Sequence, residues 1–411
     1  MPCKALPLFA LLACVLFACG GNASEETESS QAEPAPEVPL TLVEKGTYVL
    51  PIDEEADYQR LQNLKSFKLG DQEHLTFFDN NSRNIYLYDL ATDSIINKIK
   101  LAREGPDAVK NMFYIDYFFH SLDSIFINTG RYGVYLLNDK ARVLATAGAQ
   151  TGNFRLERKN LVLDAASYYD QGIVYGATRT SVPSIAEDFG PSRGSINLET
   201  GDRGWIGPET PQFLPEYDEF TEIWSKSKRD KTMLTPLRRE FVRWQGKLLA
   251  TTPISDTITV FDGTAAQKKI YVGHPDFPLA PMDEYMYYRQ IVNEPGNVST
   301  RSELDQKPTF AGMFLSPDEQ YLYRILVTST KPVFYENVGY ETPKVASAVL
   351  VACELATGKL AYLDLPVDSV DLWLFNSTSV FTSNRGIHIR QSDQEDEDAV
   401  TFQVFGFENQ E

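Results

Sequence analysis

The stretch LVACELATGKLAYLDL, residues 350–365, has two close copies in the same chain, IYLYDLATDSIINKIKL at 85–101 and GSINLETGDRGWIG at 194–207. Each copy reads as an apolar β run, then an acidic residue or Asn, Leu, any residue, Thr, and Gly or Asp, followed by a second β run. Gly and Asp tolerate the positive φ that tight hairpin turns require, so each copy is a hairpin. Looser versions stand at VYLLNDKARVLATAG, 134–148, and ITVFDGTAAQKKIYVG, 258–273.

Two further β runs precede each hairpin, so the repeating unit is a four-stranded meander. The first unit is SFKLG, HLTFFDN, NIYLYDL and SIINKIKL, and four more follow with the same layout. The sixth opens with DLWLFNS at 371–377, continues with GIHIRQS and TFQVFGF, and is one strand short. One strand is spare: KGTYVLPI, 45–52, ahead of the first unit. Pairing it with TFQVFGF completes the last sheet from the other end of the chain and protects the edges of the ring. The sequence therefore predicts an all-β fold, a six-bladed β-propeller of four-stranded antiparallel blades closed by an N-terminal strand, with seven or eight blades as the alternative.

Ahead of the repeats, MPCKALPLFALLACVLFAC has one early positive charge, Lys4, and an uncharged apolar run too short to span a membrane as a helix. Cys14 and Cys19 both end a Leu-x-Ala-Cys-like pattern suited to lipoprotein processing. Cutting at Cys14 would leave the apolar start CVLFACGG, whereas cutting at Cys19 leaves the polar tether CGGNASEETESSQAEPAPEVP. The reading is a lipoprotein signal peptide at 1–18, lipidation at Cys19, a disordered tether at 19–40, and a single propeller domain at 41–411. The expected place is the cell envelope, with the protein held on the outer membrane by its lipid and either periplasmic or surface-exposed.

Composition narrows the function. The formal charge is -19, and loss of residues 1–18 removes Lys4 and no acid, giving -20. Such a surface repels nucleic acid, and a nucleic-acid role is excluded. With Cys19 lipidated, Cys353 is the one cysteine left in the folded part. It lies in SAVLVACEL and reads as a small buried hydrophobe.

LSPDEQYLYR, 315–324, resembles the turn between the first two strands of many propeller repeats. With the Thr-Gly hairpins and the lipobox-like start, the chain resembles the poorly characterised six-bladed β-propeller lipoproteins of gram-negative bacteria. That resemblance implies an envelope location and the fold, and transfers no catalytic residue.

Spacing between successive first strands is about 47 and 48 residues at the start, then about 80 and 70. The excess lies in two inserts, 208–240 and 274–308, both between the last strand of one blade and the first of the next, hence on one face. The first carries Trp224 before a basic run. The second has Pro281 where a helix could begin, then Tyr285, Tyr288 and Arg289. Aromatics beside a guanidinium suit a protein, peptide or glycan partner, and Arg103 and Glu104 leave the first blade on the same expected face. The leading expectation is a non-catalytic binding module without a cofactor that engages an envelope partner through this insert-bearing face. The alternative is a Ca²⁺-assisted hydrolase or lyase using Asp116, Asp164 and Asp371, placed at or beside innermost strands. His74, His120, His274 and His388 fall in separate units without metal-ligand spacing.

Overall fold

A computed structural model describes residues 40–408 apart from 58–60, 111–114, 130–132, 149–158, 181–192, 207–239, 264, 280–306, 330–333, 336–338, 341–344, 372–378 and 394–397. The chain divides into two units, Met1–Pro39 and Leu40–Glu411. The signal, Cys19 and nearly all of the tether therefore lie outside the described residues.

The second unit is the expected ring. Strand β1 (Leu42–Pro51) comes first, followed by blade one, β2 (Leu61–Leu69), β3 (Gln72–Asp79), β4 (Asn84–Asp89) and β5 (Ser94–Lys100). Blade two is β6 (Asp116–Ser121), β7 (Ser124–Asn128), β8 (Val134–Leu137) and β9 (Val143–Ala147). Blade three is β10 (Lys159–Val162), β11 (Tyr168–Asp170), β12 (Ile173–Thr180), β13 (Arg193–Asn197) and β14 (Arg203–Ile206). Blade four is β15 (Glu240–Trp244), β16 (Lys247–Thr251), β17 (Thr257–Asp262) and β18 (Ala265–Tyr271).

Blade five is β19 (Thr309–Leu315) and β20 (Tyr321–Ser329), then a small side hairpin of β21 (Phe334–Tyr335) and β22 (Gly339–Tyr340), then β23 (Val345–Glu354) and β24 (Leu360–Asp364). Blade six is β25 (Val380–Ser383), β26 (Gly386–Arg390) and β27 (Ala399–Phe407), with β1 as its outermost strand. The spare strand closes the ring as expected, in a register running from Leu42↔Phe407 to Pro51↔Ala399.

Two strand assignments differ from the sequence reading. The innermost strand of blade six is Val380–Ser383, downstream of DLWLFNS; Asp371 precedes it outside any strand, and 372–378 lie outside the described residues. In blade three, LVLDAASYY is two strands, because the Asp164 carboxylate accepts from the Ala166 amide at 3.2 Å and the Ser167 hydroxyl at 2.9 Å and turns the chain between them. Both pieces pair with β12.

The packing explains the patterning. Middle strands such as β4 are covered on both faces by neighbouring blades and are continuously buried, whereas outermost β5 alternates exposed and covered positions. The core lies in the seams between blades. Tyr48, Phe77, Tyr86, Tyr88, Phe381 and Phe402 fill the seam between blades six and one, and Tyr323, Ile325, Leu350, Ile387, Ile389 and Phe405 fill that between five and six. Cys353 is buried, and burial pushes its thiol up to about 11, which makes it a packing residue at neutral pH.

Candidate functional site

Because strands alternate in direction, blade-to-blade connections leave one face of the disc while first-to-second and third-to-fourth strand turns leave the other. Arg103 and Glu104 are exposed in the connection between blades one and two, on the connection face. Trp224, Tyr285, Tyr288 and Arg289, with the helix expected at Pro281, lie outside the described residues.

A ligand-sized cavity of 430 Å³ opens on the opposite, turn-bearing face, at blades five and six. Two turns and the closing strand build it. In blade five, the Ser316 hydroxyl donates to Asp318 Oδ1 at 2.5 Å and accepts from the Tyr321 amide at 2.9 Å. This pins the Ser-Pro-Asp turn and delivers Tyr321 and Tyr323 to the wall. In blade six, Asn384 and Arg385 form a two-residue turn between Ser383 and Gly386. Gly386 has φ +131°, and a Cβ there would meet the Phe405 carbonyl oxygen at 2.0 Å, so only glycine fits. Closing strands β1 and β27 add Lys45, Tyr48 and Phe407. Phe407 lies against Tyr321 with centroids 4.1 Å apart.

Blade one braces the blade-six turn. The Glu73 carboxylate accepts from the Asn384 amide at 3.1 and 3.2 Å, while its burial raises its pKa above the ordinary carboxylate range. Arg385 Nη2 donates to the Leu90 carbonyl at 3.3 Å, lies 3.5 Å from Asp93, and its guanidinium sits 5.2 Å from the Tyr48 ring centre. First and last blades are thus latched at the cavity.

A serine–histidine pair lies directly behind. Ser383 Oγ and His388 Nε2 are 2.7 Å apart, and both residues are buried. His388 stacks on Phe381 at 4.3 Å, and burial pushes its pKa down to about 3, holding the imidazole neutral. Among the described residues, its Nδ1 has no hydrogen-bond partner, and none of them supplies the orienting carboxylate of a nucleophilic triad there. The other histidines, in separate blades, serve as ring neighbours: His74 of Phe67, His120 of Tyr169, and His274 of Tyr362.

Near the axis, Lys65 Nζ donates to the carbonyls of Tyr117 at 2.5 Å and Leu163 at 3.1 Å, binding blade one to blades two and three. Burial lowers its pKa, and Asp116 and Asp164 oppose that by stabilising the charged amine. Asp164 also pairs with Arg193 at 3.3 Å. Of the three expected metal ligands, Asp164 is thus paired with a cation, Asp116 acts on Lys65 through its charge, and Asp371 lies outside the strands of blade six. Among the described residues, no group of three or more His, Cys, Asp and Glu is placed to hold a metal.

No curated protein matches the sequence. Among solved structures, the chain is similar to a protein described as a putative exported protein of Bacteroides fragilis NCTC 9343, at 10% identity and a TM-score of 0.49 over 89% of this chain and 97% of that one. It is also similar to a member of the DUF4221 family from Bacteroides vulgatus ATCC 8482, at 15% identity and a TM-score of 0.66, covering 90% of this chain and 99% of that one. Residues 39–202, which take in the closing strand and most of the first three blades, match the family described as a domain of unknown function (DUF4221), and the chain as a whole folds as a six-bladed β-propeller.

Proposed function

We propose that this propeller is an exported, lipid-anchored binding module of the cell envelope that recognises its partner non-covalently. The 430 Å³ cavity between blades five and six carries this reading, with its aromatic wall and cationic edge on a rigid, latched frame. Binding is favoured over hydrolysis because Asp164 is paired with Arg193, and because His388 is buried with no orienting carboxylate among the described residues. The signal-like start supports export, and Cys19 is the proposed lipid site.

The test is retention of envelope components by immobilised protein, compared across three forms. Tyr321→Ala with Phe407→Ala should abolish a wild-type retention pattern, while Trp224→Ala, Tyr288→Ala and Arg289→Ala together leave it. The opposite result would move the site to the insert-bearing face. Labelled palmitate should enter the wild type and not Cys19→Ser; labelling of both would remove the anchor assignment.

A further inference from the structure

The residues lining the cavity point to a ligand class. Among the described residues of the lining, four are aromatic, Tyr48, Tyr321, Tyr323 and Phe407, and Val404 is the one aliphatic side chain; the rest are hydroxyl, amide, charged or glycine. Aromatic walls also seat peptides, so the polar and charged groups around the rings decide the class. A pyranose ring offers an apolar C–H face for an aromatic platform and a rim of hydroxyls that needs donors and acceptors together. Half-buried Tyr321, tilted against Phe407 with centroids 4.1 Å apart, supplies the platform, while Asn384 and the Asp318 carboxylate supply polar partners.

Charge sharpens the class. On a chain of formal charge -19, this edge brings Lys45 and Arg385 to one cavity, against Asp318 as the single acid among the described lining residues. Both are exposed. The contacts of Arg385 to Leu90 and Asp93 use Nη2 alone, and a guanidinium carries five N–H donors in a fork matched to a carboxylate.

We propose that the cavity binds a carboxylated sugar, its ring on Tyr321 and Phe407 and its carboxylate between Lys45 and Arg385. This rests on the binding reading above and adds the substrate class. The test is an array of uronate- and sialate-bearing oligosaccharides beside neutral oligosaccharides of the same backbones, probed with the full chain, with the free acidic monosaccharides titrated separately.

The wild type is expected to retain carboxylated members selectively. Lys45→Gln, at an exposed position outside the core, should weaken them about tenfold and narrow the preference for carboxylated over neutral members, the size expected for one charge-assisted hydrogen bond. Tyr321→Ala should lose binding altogether. Saturable binding of a free acid places recognition in one residue, and binding of oligomers alone extends it to neighbouring residues; both uphold the class. Equal retention of neutral and carboxylated members, lost in Tyr321→Ala, would overturn the carboxylate assignment and keep the cavity as a binding site. Failure to retain any glycan would overturn the sugar class, while the envelope-retention test decides the binding reading independently.

Discussion

The seam between blades six and one and the seam between blades three and four join neighbouring sheets by different physics. The first is a block of buried rings, with Tyr48 edge-on to Phe381 at 6.2 Å, Phe381 against Phe402 at 5.1 Å, and Phe77 stacked on Tyr86 at 4.8 Å. The second, among the described residues, has a small buried cluster of Ala166, Phe241, Ala250 and Phe261. Cations over rings supplement it: Arg193 at 5.6 Å from Phe241 and Arg243 at 4.1 Å from Tyr168. A buried Phe contributes roughly 3–5 kcal/mol, against about 2 for a desolvated cation–π pair such as buried Arg193 on Phe241 and about 0.5–1 for an exposed one such as Arg243 on Tyr168. Of these two seams, the one where the chain ends meet buries the larger block of described aromatic side chains, and the proposed cavity sits beside it.

Breaking the strong seam should cost most. Phe402→Ala, at a fully buried position on β27, should lower unfolding free energy by about 3–5 kcal/mol in a denaturant titration. Gly386→Ala should cost at least about 2 kcal/mol, because Cβ would run into the Phe405 carbonyl and φ is unfavourable for alanine. Since Gly386 holds the Asn384–Arg385 turn, ligand binding should fall with it. At the weaker seam, Arg193→Ala leaves the Ala166 carbonyl, now bonded at 2.7 Å, without its donor and should cost about 1–3 kcal/mol. Amides of β12 and β15 should then exchange faster while those of β27 stay protected. A loss at Arg193 larger than that at Phe402 would reverse the ranking of the seams.

His388 gives a pH signature to the strong seam. Its folded pKa, about 3, lies below the ordinary 6.5, so the unfolded chain takes up a proton at this residue between those values while the folded chain does not. Its contribution is full above pH 6.5 and is lost progressively as pH falls towards 3, a change on the order of 4 kcal/mol. His388→Leu should flatten that part of the stability–pH curve; an unchanged slope would mean the imidazole is not held neutral. The smallest effect is expected at exposed Arg103, where alanine should change stability by less than about 0.5 kcal/mol.

Much of the ring was legible because blade repeats impose hairpins, and three of these carry Thr-Gly or Thr-Asp at the same offset. The missing strand of the sixth unit and the spare KGTYVLPI gave the closure by subtraction. DLWLFNS misled because an apolar run of strand length carries no sign of which strand pairs with β26, and VFTS is short and half polar. The LVLDAASYY break was hidden in Asp164, whose turn-forming role depends on Ser167 three residues on. The cavity was least legible: LSPDEQY marked one turn, but its partners Lys45 and Arg385 are separated by most of the chain and meet only through β1–β27 pairing. Likewise, Ser383 and His388 looked unrelated until β25 and β26 paired.

The most direct test of the central claim, that recognition happens in the turn-face cavity beside the closing strands, is amide hydrogen exchange of detergent-extracted native protein with and without saturating envelope glycan extract. The account predicts new protection confined to Tyr321–Arg324, Asn384–Ile387 and the β1 residues near Lys45. Protection confined to the inserts at 208–240 and 274–308, with those segments unchanged, would contradict it.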